Sequence, residues 1–86
     1  MIVETTIKHE IGLPARPTVM FVQSASKYQA DIRVIYNGKE ANGKILLSIL
    51  GLEITTNAPI TIHAEGQDSQ AALQKLQALV ESNFGE

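Results

Sequence analysis

Asp31-Ile32-Arg33-Val34-Ile35-Tyr36-Asn37-Gly38-Lys39-Glu40-Ala41 decides the fold. Ile32, Val34 and Tyr36 alternate with Arg33 and Ile35, the two-residue period of a strand with one buried face. Asn37-Gly38 follows. Both residue types accept positive φ, as a tight two-residue hairpin requires. Lys39 to Ala41 is then a short returning strand, and the chain holds a β-hairpin near its middle.

Working outward from the hairpin, Asn42-Gly43 makes a second turn, and Ile45 to Leu50 is a compact apolar block that predicts a short helix ended by Gly51. Ala58-Pro59 marks a loop before Ile60-Thr61-Ile62-His63-Ala64, a strand that Gly66 ends. Asp68 or Ser69 is the expected cap of a last helix, accepting from its exposed amides. Ala72, Leu73, Leu76, Leu79 and Val80 form that helix's buried stripe, with Phe84 packing after it. On the upstream side, Ile2 to Lys8 reads as a β-branched strand broken by Gly12. Pro14 and Pro17 suit the first turn of a helix, where a missing N–H has no intrahelical partner to lose. Ala15, Thr18, Phe21, Val22 and Ala25 recur at helical spacing and predict a helix ending near Lys27. The order is β-α-β-β-α-β-α. It predicts an open-faced α+β sandwich, an antiparallel sheet with the helices on one face.

The 86 residues are read as a single domain, 1–86, with no repeat and no linker. Seven basic and nine acidic residues give a net charge of −2, and the four aromatic residues include no Trp. Nothing in this balance favours a nucleic-acid partner, which calls for a basic face with stacking aromatics. The absence of cysteine removes a disulfide scaffold, a thiolate nucleophile and a zinc–thiolate site. No apolar run approaches the ~20 residues of a membrane span, and Met1-Ile2-Val3-Glu4 has no signal-peptide character. The expected location is the cytoplasm.

Five of the six residues of Gly12-Leu13-Pro14-Ala15-Arg16-Pro17 match the G-L-H-A-R-P pattern of the HPr family, the histidine phosphocarriers of the bacterial sugar phosphotransferase system. The resemblance extends through Phe21-Val22, Tyr36-Asn37-Gly38-Lys39, Asn42-Gly43-Lys44, Ile60 to Gly66 and Leu79 to Glu86, essentially the whole chain. It implies a four-stranded antiparallel sheet of order 1-4-2-3 carrying three helices. Two departures from the family pattern stand out. The family's active-site histidine falls on Pro14, and the regulatory serine of many members falls on Ile45. In lacking the histidine, the chain resembles a known class of HPr-like regulatory proteins, and it lacks the serine as well.

A phosphocarrier histidine sits at a helix N-terminus because free backbone amides and the positive dipole end stabilise phosphate. A neighbouring guanidinium adds charge-assisted donors. The resemblance therefore implies an anion-binding terminus at Ala15, Arg16 and Pro17, without a nucleophile. The alternative for Arg16 is a solvated side chain mildly misplaced against the dipole. His9, at the end of the first strand, is the one substitute nucleophile near that edge, and its plain alternative is an exposed strand-end histidine. His63 is expected on the face opposite Ile62 and Ala64, with no catalytic role. Ser48, about one helical turn after Ile45, is either a displaced phosphorylation site or a small residue of a short helix. Two distant histidines without a carboxylate at ligand spacing make no metal site, and no cofactor is implied.

In the family, partners dock on the first two helices. The resembling positions are Arg16, Val19, Met20, Leu46, Leu47 and Leu50, a strongly apolar set, and Leu46, Leu47, Ile49 and Leu50 cannot all point inward from one short helix. Exposed apolar surface marks an interface, so protein partners are expected: phosphotransferase-system enzymes, a transcriptional regulator, or a second copy in a homodimer. The leading reading is a regulatory or binding module that carries no phosphate at the usual position. The alternatives are a working phosphocarrier that uses His9, and a recruited structural or self-associating domain.

Overall fold

A computed structural model describes residues 1–8 and 15–85. Four strands, β1 (Ile2–Thr6), β2 (Asp31–Tyr36), β3 (Lys39–Asn42) and β4 (Pro59–Glu65), form one antiparallel sheet in the order β1-β4-β2-β3. Three helices, α1 (Ala15–Ala25), α2 (Leu46–Leu50) and α3 (Ser69–Glu81), cover one face, and a 3-10 turn at Asn83–Gly85 closes the described chain.

The hairpin forms as its sequence dictates. Asn37 and Gly38 take φ of 52° and 78°, and Tyr36 pairs with Lys39 across the turn. The two-residue period then sorts the sheet. Ile32, Val34, Ala41, Ile60, Ile62 and Ala64 point inward and are buried. Arg33 stands opposite His63, and Ile35 opposite Thr61, on the face that no helix covers. Helix α1 buries Thr18 and Phe21 against this core, α3 buries Leu73, Leu76 and Val80, and Phe84 is 2% exposed beyond its end. Burying a side chain the size of Phe21 contributes about 1.5–3 kcal/mol, so the core is carried mainly by aliphatic residues and two phenylalanines.

The elements differ from the sequence reading at their ends, by a long-range pairing at β1 and by local bonding at α1. β1 stops at Thr6 rather than Lys8, although Ile7 is fully buried. Its N–H donates to the Ala58 carbonyl at 2.9 Å, and its own carbonyl accepts from Asn57 at 2.7 Å. The backbone thus stays paired, but to the loop before β4 rather than to a strand. β4 begins at Pro59, a position that suits a residue with no N–H to give to the ladder. α1 ends at Ala25 rather than near Lys27, because the Lys27 and Tyr28 amides bond three residues back, to Ser24 and Ala25. Ala15, the first residue of the expected apolar stripe, is exposed at the helix start, and Pro17, expected only to suit the first turn, is buried instead. Leu79 is half-buried at the margin of the α3 stripe. Gly12, the expected strand breaker, lies outside the described residues.

Candidate functional site

Helices α1 and α2, which carry most of the sequence-derived site residues, pack on one another. Arg16 is exposed in the first turn of α1, a turn without an acidic residue. Among the described residues it makes no ion pair. Pro17 beside it is buried and has no N–H to offer. Val19 and Met20 are half-buried one turn further on. His9 and Pro14 lie outside the described residues, as does the rest of the segment 9–14.

In α2 the apolar block divides as its length requires. Ile49 is 1% exposed and faces the core, whereas Leu47 is 77% and Ile45 52% exposed. Leu46 and Leu50 are half-buried between these extremes. Ile45 occupies the N-cap position of α2 in an extended conformation and supplies no side-chain cap. Ser48 is half-buried, and its Oγ accepts the Asn42 N–H at 2.9 Å. Its hydroxyl oxygen is therefore engaged in holding the β3–α2 turn. Asn42 Oδ1 accepts the Lys44 N–H at 2.9 Å in the same turn.

The side chains that tie the helical layer to the sheet were not found from the sequence. Asp68 stands at the N-cap of α3 but makes no side-chain cap there. Its two carboxylate oxygens instead accept the Gln29 and Ala30 amides, both at 2.8 Å, across the α1–β2 connection. These bonds, led by the one from Gln29 and helped by the charge of Lys44, hold the Asp68 carboxyl below the usual carboxylate range against the opposing effect of burial. Lys44 Nζ donates to the Tyr28 carbonyl at 2.7 Å and fastens the same connection from the other side. No local signal reveals such pairs, because Asp68 and its partners are 38 and 39 residues apart.

On the open face of the sheet, His63 Nε2 lies 3.2 Å from Glu65 Oε1, and the His63 side chain is 30% exposed. Arg33 reaches Asp31 at 3.2 Å and Glu40 at 3.7 Å. These exposed pairs belong to the sheet surface, remote from α1 and α2. Among the described residues, no group of three or more His, Asp or Glu is arranged to hold a metal ion, and no helix is long and apolar enough to cross a membrane.

A four-stranded antiparallel sheet of order 1-4-2-3 with three helices on one face, and an arginine in the first turn of the first helix, defines an HPr-like sandwich. The family model for the PTS HPr component phosphorylation site matches residues 3–82, and the chain belongs to that family. It is 36% identical over 75 residues to the HPr-like protein Crh of Bacillus subtilis strain 168, an alignment covering 87% of this chain and 88% of Crh. The crystal structure of HPr-C-His from Thermoanaerobacter tengcongensis superimposes with a TM-score of 0.96 at 38% identity, covering 100% of this chain and 97% of that one. The crystal structure of Bacillus subtilis Crh, the catabolite repression containing protein, is a swapped, intertwined dimer. It matches with a TM-score of 0.78 at 34% identity, covering 92% of this chain and 91% of Crh.

Proposed function

We propose that this chain is a regulatory member of the HPr family, one that binds protein partners of the sugar phosphotransferase system through α1 and α2 and carries no phosphate at the family's usual position. It acts in the cytoplasm as a single domain over residues 1–86, without a cofactor. The observation that carries the reading is Pro14. A pyrrolidine has no lone pair able to accept a phosphoryl group, whereas the helix terminus and Arg16 that would steady one are retained. Ile45, at the position of the regulatory serine, removes the second acceptor. The surface we assign to partners comprises Arg16, Val19 and Met20 of α1 and Leu46, Leu47 and Leu50 of α2, two helices that pack on one another. The likeness to Crh, whose crystal structure is described as that of a catabolite repression protein, supports regulation over transport.

The test is intact-mass spectrometry after incubation with phosphoenolpyruvate and the first enzyme of the phosphotransferase system, beside an HPr control. The native chain is expected to keep its mass, and Pro14→His to gain one acid-labile phosphoryl group. A phosphorylated native chain, with the modification lost on His9→Ala, would make the protein a carrier and end this reading.

A second reading rests on the swapped Crh dimer. The chain self-associates, and its homodimer is the form that meets the partner.

A further inference from the structure

After α3 the chain runs through three left-handed residues in succession: Asn83 at φ 56°, Phe84 at 57° and Gly85 at 79°. A helix commonly ends on one such residue, and glycine takes the conformation without steric cost. Asparagine tolerates it, but for a side chain as bulky as phenylalanine it is an outlier. The other non-glycine residues with positive φ among the described ones, Asn37, Glu53 and Asn57, are exposed, and none adjoins another. Phe84 is instead 2% exposed.

We propose that Asn83–Gly85 is a strained latch, which opens while the rest of the fold stays closed and swings Phe84 out of the core. One gain holds it shut, the packing of the Phe84 ring into the hydrophobic core. Several costs oppose that gain. Two non-glycine residues are held left-handed. Asn83 Oδ1 is buried and has no hydrogen-bond partner among the described residues, so closure strips it of water and gives nothing back. The Gly85 N–H makes a long bond, 3.2 Å, to the Ser82 carbonyl. Opening relaxes both left-handed residues and hydrates the Asn83 amide. It does not unravel α3, whose end is completed before the latch begins. The Ser82 N–H donates to the Ala78 carbonyl at 2.9 Å, and Ser82 Oγ donates to the Leu79 carbonyl at 3.0 Å.

Phe21 is the internal standard. It is 1% exposed, as deeply set as Phe84, but it lies within α1 and its φ is not positive. Freeing its ring requires α1 to leave the sheet. Two phenyl rings of equal burial thus differ in how much structure must break to release them. The latch decides where a protease first gains entry to the folded chain.

Chymotrypsin, which cuts after phenylalanine, reads this difference. The full chain is exposed to dilute enzyme under native conditions, and mass spectrometry follows the initial rates at the Phe84–Gly85 and Phe21–Val22 bonds. Each rate is divided by that of a short peptide of the same sequence, which removes the enzyme's own preference. The Phe84–Gly85 bond is expected to be cut at least about tenfold faster than Phe21–Val22, and dilute urea should accelerate only the second. Two variants move the latch in opposite directions. Asn83→Gly removes a left-handed side chain and the orphaned oxygen, and should slow the Phe84–Gly85 cut about fivefold. Gly85→Ala adds backbone strain alone, since no atom lies within 4 Å of the place its Cβ would take, and should speed that cut by a similar factor. Neither variant should change the rate at Phe21–Val22. Equal normalised rates at the two bonds, a Phe84–Gly85 cut that rises with urea as steeply as the other, or an Asn83→Gly chain cut as fast as the native one would each overturn the proposal.

Discussion

The Asp68 carboxylate accepts two amides from the α1–β2 connection, where the sequence suggested a helix cap. An aspartate just before a helix caps it when nothing better is in reach. Here the turn at Gln29 and Ala30 presents two N–H groups side by side, and a charge-assisted pair outweighs one capping bond. The consequence is a stability that depends on pH. The bonds favour the ionised carboxylate and lower its pKa in the folded state, so their contribution is complete above the ordinary value of 3.8 and is lost as the pH falls through the folded-state pKa. Asp68→Ala is therefore expected to unfold at lower urea concentration than the native chain at neutral pH. The gap should close as both are titrated below pH 3.8. A gap of the same size at both ends of the range would assign the loss to packing rather than to the charge.

At the scale of an element, α2 shows what a short apolar block does when it cannot bury every residue. Ile45 to Leu50 is readable as a helix because Gly43 and Gly51 bracket it, but five helical residues offer one inward face. Ile49 takes that face, and Leu47 is turned away from the core. The two substitutions should accordingly diverge. Ile49→Ala is expected to cost about 2–5 kcal/mol. Leu47→Ala should stay within about 0.5 kcal/mol of the native chain while weakening any partner that docks on α1 and α2. Urea denaturation of both variants checks the pair, and comparable losses would mean that Leu47 is part of the core. The hairpin, α2 and α3 were legible for one physical reason: period and turn residues are local. The end of β1 was not, because Asn57 and Ala58, in the loop before β4, decide it. The same division runs through the site. Arg16 and the apolar surface could be read from neighbouring residues and the family pattern. The tethers at Asp68 and Lys44 could not, because their partners are brought together only by the finished fold.

Over the whole molecule, the helical layer covers one face of the sheet, and the other face is open, edged by β1 and β3. Two routes to self-association follow. One copy can lay the α1–α2 surface against that of another, or two copies can exchange an element as in the Crh dimer. The exposed apolar part of α2 is Ile45 and Leu47 with the margins of Leu46 and Leu50. That is a small patch beside the ~800 Å² per partner of a standard stable interface, and pairing through it alone is weak and reversible. Exchange instead re-forms between two chains the contacts that hold one chain together, so the dimer is as durable as the fold, and forming or separating it requires opening the fold. A stable dimer of this chain is therefore expected to persist in Leu47→Glu, and to exchange subunits no faster than the protein unfolds. Sedimentation of the native chain and of Leu47→Glu, with mixing of isotope-labelled and unlabelled dimers, distinguishes the two routes. A dimer that Leu47→Glu dissolves, or that exchanges within the time of mixing, would place the interface on α2, where a protein partner would then have to compete with a second copy of the chain.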